Sequence, residues 1–259
     1  PHTLGMTVTY DFSNKVISIT GAGSGFGRLA ARKFATAGAR LVLSDVNFEA
    51  LQYVTNELGT DSVLAVECDV SDAMQVASMV NKAAERFGGI DIAVNNAGII
   101  HDLVRISDIS EETFDRNIAV NLKGTFLCMR HELRLMAAKG SGKIINMASA
   151  SGLIGSPFLS VYAAAKHGVV GLTRSAAVEY GRKGIQVNAL CPAFSSTPML
   201  EAVVEERGEK VLDGIVGAIP MQRLAEPEEI VNAILWLSSD ENSFMNGAAV
   251  SVDGGLVAG

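Results

Sequence analysis

The sequence predicts a doubly wound α/β protein: one open, parallel sheet of about seven strands with helices on both faces. Three observations carry this. Short apolar runs alternate with amphipathic stretches along nearly the whole chain. A glycine cluster stands between the first apolar run and the first amphipathic stretch. Hydrophobic residues make up 48% of the chain and charged residues 19%, enough apolar material to cover both faces of a sheet. With 259 residues, the alternation reads as one domain over 15–259, preceded by a loose arm over 1–14 that lacks periodicity.

In order, the first strand falls at 15–20, a helix follows the glycine turn at 28–37, and RLVLS at 40–44 is the second strand. Further strands fall at 63–67, 92–94, 143–147, 185–190 and 248–252. Helical periodicity occupies 50–58, 72–87, 112–138, 161–182 and 227–238, the crossovers that parallel neighbours require. The longest stretch without a strand, 193–217, contains Pro198, Gly208 and short amphipathic pieces, and is expected to form a mobile flap. In such sheets ligands bind beyond the carboxyl ends of the strands, so the chemistry belongs to the segments that follow them.

Composition narrows the partners. A net charge of −7 argues against a broad surface for nucleic acid or anionic lipid. No apolar run reaches the roughly 20 residues of a membrane span. Cys68, Cys128 and Cys191 form neither a CxxC pair nor an even set, which fits the reducing cytoplasm. A small molecule is the expected partner.

The segment from Thr20 to Gly27 reads TGAGSGFG. Its glycines allow a tight turn and close approach to a pyrophosphate, with a helix N-terminus facing the anion. Gly21, Ser24, Gly25, Phe26 and Gly27 are therefore expected around a dinucleotide. Asp45 closes the second strand, 24 residues after Gly21, where a carboxylate can accept from the adenosine ribose hydroxyls; a turn or helix-cap role is also open. Asp69 and Val70 follow the third strand, where Asp69 could meet the adenine or cap the next helix. Asn95, Ala97 and Gly98 belong to NNAG after the fourth strand, suited to packing on a cofactor or to a plain turn.

Tyr162 and Lys166 are four apart at the start of a helix and share a face. Ser149, just after the fifth strand, and Asn121, inside the long helix at 112–138, complete a polar set. At this point the chain closely resembles the classical short-chain dehydrogenase/reductase family. The resemblance runs from Lys15 to Gly255 through TGAGSGFG, NNAG, Asn121 in NLKG, Ser149 thirteen residues before Tyr162, and YAAAK at 162–166. It implies a Rossmann-type fold and a homotetramer pairing the helices at 112–138 and 161–182. Tyr162 would be the general acid/base, Ser149 would hold the substrate oxygen, and Asn121 would support a proton-relay water. Lys166 would bind the nicotinamide ribose and lower the tyrosine pKa, while Pro192 and Thr197 would line the nicotinamide side. The chain departs from many relatives at Pro192-Ala193, where they have Pro-Gly, and at Phe26, where they carry a smaller aliphatic residue.

A free tyrosine has a pKa near 10, so work as a base near neutrality needs a shift of roughly 2–3 units, about 3–4 kcal/mol. A nearby ammonium has the required sign. The expected activity is NAD-dependent interconversion of a secondary alcohol and a ketone, because Asp45 stands where the 2′-phosphate of NADP would sit. Leu153, Ile154, Phe158, Phe194, Met199 and Leu200 would give a pocket for a neutral alicyclic or aryl substrate. The alternatives are a 3-oxoacyl thioester reductase and, from another class, a dinucleotide-sensing binding protein, which would need no Ser149, Tyr162 or Lys166. His2, His101, His131 and His167 have no metal-ligand company, so no metal site is expected. Arg105 and Arg223 read as solvated or paired, and the charge run from Glu201 to Lys210 reads as the wet face of the flap.

Overall fold

A computed structural model describes residues 9–258, apart from the side chains of Met199, Ala202, Glu206 and Arg207. His2 and the first eight residues of the expected arm, like the Met199 side chain, lie outside the described residues.

Seven strands form one sheet: β1 (Val16–Thr20), β2 (Arg40–Asp45), β3 (Val63–Glu67), β4 (Ile92–Asn95), β5 (Gly142–Met147), β6 (Ile185–Pro192) and β7 (Ala249–Val252). All pairs are parallel and the order is β3-β2-β1-β4-β5-β6-β7, so the direction of winding reverses between β1 and β4. That reversal opens a crevice at the carboxyl ends, the usual ligand position in such sheets. Parallel strands need helical crossovers, and these coat both faces. They are α1 (Gly25–Thr36), α2 (Phe48–Leu58), α3 (Ala73–Phe87), α4 (Glu111–Asn117), α5 (Thr125–Lys139), α6 (Ser160–Tyr180), α7 (Pro198–Arg207), α8 (Lys210–Ala218) and α9 (Pro227–Ser238).

One apolar core packs α1 and α9 on one face of the sheet, with Phe34, Leu41, Leu43, Ile230 and Ile234 buried in it. A second packs α3, α5 and α6 on the other, around Met79, Met136, Ile144, Ile185 and Val187. Tyr10 and Phe12 belong to the first core: Phe12 is 2% exposed and meets Phe34 edge-on at 4.9 Å between ring centroids. The end of the expected arm is thus anchored, because an aromatic ring gains more from burial than a short segment loses on ordering.

The helix expected at 112–138 is interrupted. Between α4 and α5 the turns at Ile118–Gly124 widen to π geometry, with Asn121 at their centre. Such single wide turns recur at functional sites because they re-aim one side chain without breaking the helix. The expected flap folds as α7 and α8, with Thr197 as the N-cap of α7 and Pro198 at its first turn. Among the described residues no helix is long and apolar enough to cross a membrane.

Candidate active site

The crevice is a cavity of about 830 Å³, lined from Gly21 and Asp45 at one end to Ser149, Tyr162 and the α7–α8 helices at the other. Gly25 has φ +50°, a conformation that glycine adopts without strain. A Cβ on Gly27 would stand 2.1 Å from the Gly21 carbonyl oxygen, so only glycine lets α1 start this close to the turn. Gly27 therefore packs helix to turn and does not line the cavity, whereas Gly21, Ser24, Gly25 and Phe26 do.

Asp45 is half-buried at the end of β2, where its Oδ2 accepts from the Gly23 N–H at 2.8 Å and its Oδ1 from the Asn47 N–H at 2.9 Å. Asn47, not Asp45, caps α2. The carboxylate thus pins the glycine turn and still lines the cavity. Asp69 accepts from the Ser71 N–H and hydroxyl at 2.9 and 2.7 Å, while Asp72 caps α3. The cap alternative for Asp69 falls away, and Asp69 and Val70 line the cavity.

The NNAG segment divides its labour. Ala97 and Gly98 line the cavity, but Asn95 turns inward, 3% exposed, and donates to Glu132 and Asn146, both at 3.0 Å. Its expected place against a cofactor is corrected: alternation along β4 sends its side chain into the core. Asn96, the other amide of the motif, lines the cavity and also donates to the Thr20 and Gly21 carbonyls at 2.9 and 3.1 Å, which ties β4 to the glycine turn.

At the other end, β5 delivers Ser149 in extended conformation and α6 delivers Tyr162 and Lys166; all three line the cavity. Asn121 is fully buried behind them, bonded to the Ile99 N–H and carbonyl, each at 2.9 Å. A Cβ on Gly98 would stand 2.8 Å from Asn121 Oδ1 and 3.5 Å from Lys166 Nζ, so Gly98 lets this wall close on the lysine. Lys166 Nζ donates to the Met147 carbonyl at 2.7 Å and lies 5.5 Å from the Tyr162 ring centroid. Burial brings its ammonium down to about 8. Burial also raises the Tyr162 phenol above its usual value, and the Ser149 hydroxyl pulls in the opposite direction. The expected lowering by Lys166 does not show among the protein's own groups: burial is the larger influence on the phenol and the Ser149 hydroxyl the opposing one.

Pro192, Phe194, Thr197, Leu200 and Val203 close the cavity beside Ser149 and Tyr162, together with Val211 and Ile215 of α8. Ile154 joins them, but Leu153 packs into a small core cluster beside Ala148 and Val169, and Phe158 lies on the surface, 49% exposed. Those two are removed from the expected pocket. Ala193 needs no glycine: its N–H bonds the Val252 carbonyl at 3.2 Å and its φ is not positive. His101 and His167 bond backbone carbonyls, and Arg223 pairs with Glu229, as expected of structural residues.

Residues 21–257 fit a family model described as enoyl-(acyl carrier protein) reductase, within the short-chain dehydrogenases/reductases. The chain belongs to the short-chain dehydrogenase/reductase family. Levodione reductase of Leifsonia aquatica is 41% identical over 96% of this chain and 97% of its own. The crystal structure of levodione reductase superposes with a TM-score of 0.91, covering 95% of this chain and 99% of that one. Cyclohexanol dehydrogenase of an Acinetobacter strain is 39% identical over 94% of this chain and 95% of its own. The family binds a nicotinamide dinucleotide, and among similar solved structures one is complexed with NADH and another has NADP bound.

The residues present fit such a group: an open glycine turn at a helix N-terminus, a carboxylate at the end of β2 beside it, and a hydroxyl, phenol and ammonium at the far end. The chain is an oxidoreductase that interconverts secondary alcohols and ketones.

Proposed function

We propose that this protein is an NAD-dependent dehydrogenase/reductase for a neutral alicyclic or aryl secondary alcohol or its ketone. One observation carries the reading: Ser149, Tyr162 and Lys166 meet at one end of a cavity whose other end holds Asp45, and whose wall over α7 and α8 is apolar. Gly21, Ser24, Gly25, Phe26, Ala97 and Gly98 would hold the pyrophosphate and ribose side, Asp69 and Val70 the adenine side, and Pro192 and Thr197 the nicotinamide side. When bound, a nicotinamide supplies or accepts the hydride and, oxidised, brings a positive charge that favours phenolate. In reduction, Ser149 donates to the carbonyl oxygen and Tyr162 delivers its proton there as the carbonyl carbon gains hydride. In oxidation Tyr162 takes the hydroxyl proton and the same carbon loses hydride. Lys166, fixed to the Met147 carbonyl, orients the ribose and favours the phenolate.

The preference for NAD rests on charge. A carboxylate and a phosphate 4 Å apart at an effective dielectric near 20 repel by about 4 kcal/mol, and about 1.4 kcal/mol surviving screening is still tenfold. Val46, 67% exposed beside Asp45, offers no compensating cation. Because Asp45 also accepts from Gly23, Asp45→Asn removes the charge but keeps an acceptor, whereas Asp45→Ala removes both. The test is a panel of alicyclic alcohols with NAD and NADP, read by absorbance of the reduced nicotinamide, on the parent and both variants. The expected result is NAD preference in the parent, a shift toward NADP in Asp45→Asn, and a larger loss of NAD use in Asp45→Ala. NADP preference in the parent would remove Asp45 as discriminator, and turnover confined to 3-oxoacyl thioesters would replace the alicyclic reading. We also place the protein in the cytoplasm as a homotetramer, supported by the apolar side chains left exposed on the expected pairing helices, Phe126 of α5 and Val178 of α6. Sedimentation at micromolar concentration tests the assembly.

A further inference from the structure

Behind the cavity, a chain of buried side chains crosses from α6 through β5 and β4 to α5, and its polarity is fixed. Thr173 of α6 donates its hydroxyl to the Val169 carbonyl, so its oxygen accepts from Asn146 Nδ2 at 2.9 Å. Asn146 must then present Oδ1 to Asn95, which donates from Nδ2 at 3.0 Å. The second hydrogen of that amino group goes to Glu132 Oε2, also at 3.0 Å. Two acceptors are left over, Glu132 Oε1 and Asn95 Oδ1, both buried and without a partner. The side-chain donors of the chain are all spent, and Glu132 is 0% exposed.

We propose that Glu132 is kept as a neutral carboxylic acid whose proton closes this chain, and that it serves as a positioning residue for the dinucleotide end of the cleft. One proton on the carboxyl supplies the single donor that the two leftover acceptors lack, in the manner of an acid–amide pair. An ionised Glu132 would instead bury a charge with no counter-ion. Burial, opposed in part by the Asn95 hydrogen bond, pushes the carboxyl up to about 7. The neighbouring titratable groups give no cation. Cys128 on α5 and Cys68 after β3 are buried thiols held protonated by burial. Lys82, Glu85 and Arg86 of α3 and Arg174 and Glu179 of α6 are exposed. Arg130 and His131, next to Glu132 on α5, bond each other at 3.2 Å. Asp91 and Lys143 lie at the opposite ends of β4 and β5, Asp91 with Lys139 and Lys143 with the Asn242 carbonyl.

The position matters because Asn95 directly precedes Asn96, which holds the glycine turn through the Thr20 and Gly21 carbonyls. Asn146 stands three residues before Ser149, and Thr173 two turns after Lys166 on the same face of α6. Ionising Glu132 leaves both acceptors bare in the core and adds a buried charge beside the end of β4, which loosens the strand end that carries Asn96.

Glu132→Gln tests this, since glutamine supplies an N–H where the neutral acid supplies its O–H. Between about pH 5.5, above the range of ordinary carboxyls, and about 7, infrared spectra of the protein alone should show a protonated-carboxyl carbonyl band that is absent from the variant and fades in the parent at higher pH. Identical carbonyl regions in parent and variant overturn the proposal. The parent should also lose melting temperature relative to the variant between the unfolded value of 4.5 and about 7, and no further above it. A constant gap across that window overturns it as well. For the positioning role, NADH affinity is compared by fluorescence titration: the parent and variant should agree near the acid end, and the parent should bind at least roughly threefold more weakly at the alkaline end, about half a pK unit of free energy. A ratio that does not change with pH removes the positioning role.

Discussion

Gly25 and Gly27 stand two residues apart in one motif, yet the structure assigns them different costs when each is replaced by alanine. At Gly27 a methyl would sit 2.1 Å from the Gly21 carbonyl oxygen and 2.7 Å from Asn96 Nδ2, which donates to that carbonyl. Ordinary contact needs more than 1 Å of extra room. Gly21 has little to give, because its own Cβ position is 2.9 Å from the Ala97 backbone. Overpacking of 1–3 kcal/mol plus a weakened hydrogen bond comes to about 3 kcal/mol, or roughly 6–12 °C of melting temperature at this size. At Gly25 a methyl would meet nothing within 4 Å, and only φ +50° opposes it. That costs about 1–2 kcal/mol, but the methyl projects into the cavity where phosphate oxygens would approach. Gly25→Ala should therefore lose dinucleotide affinity by tenfold or more with a small fall in melting temperature, and Gly27→Ala should show the larger fall. Scanning calorimetry and NADH fluorescence titration on both variants measure this. Equal melting temperatures for the two would refute the close packing of α1 on the glycine turn.

Tyr162→Phe should keep fold and dinucleotide affinity while turnover drops by about 10²–10⁴, checked by steady-state rates alongside fluorescence titration; activity within threefold of the parent would remove Tyr162 as the acid/base. Lys166 carries a folded value of about 8 against 10.5 unfolded, so the unfolded chain binds the extra proton between those values and stability rises with pH across that window. Lys166→Met should then be stabilised near neutrality, by up to about 3 kcal/mol less the lost bond to Met147, and be inactive; denaturant midpoints at neutral pH and above 10.5 should differ less in the variant than in the parent. Amide exchange over 193–217 should slow in the ternary complex more than exchange in the sheet, and unchanged exchange there would mean a rigid wall.

The strands were legible because a parallel sheet buried on both faces writes itself as short apolar runs, and all seven lie within two residues of their expected bounds. The placing of Ser149, Tyr162 and Lys166 along one cavity was legible because the motifs that carry them mark the end of a strand and the start of a helix. What stayed hidden turned on single-residue parity or on partners distant in sequence. Asn95 and Asn96 look equivalent in NNAG, but one step along β4 decides which faces the cleft and which the core. The wide turn at Asn121 is flanked by ordinary helix on both sides, and its changed period runs over too few residues for the pattern to announce it. Val203, Val211 and Ile215 sit in a segment whose charges suggested a wet face, and two short helices put the apolar residues on the other side. Glu132, within RHELR, carries no local signal of its burial, because its partner Asn95 lies 37 residues away.

Lys166 and Glu132 break the rule that charged side chains stay wet, and they break it in opposite senses. Burial lowers the lysine and raises the carboxyl, so each is pushed toward its uncharged form within a few units of neutrality. Both lie on the chemistry: one faces the tyrosine, the other holds the strand that carries the glycine turn's anchor. A local pattern fails first where the fold accepts a burial cost to fix a polar group, and those failures therefore mark the functional end of the sheet. The exposed charges of α3 obey the pattern and mark nothing.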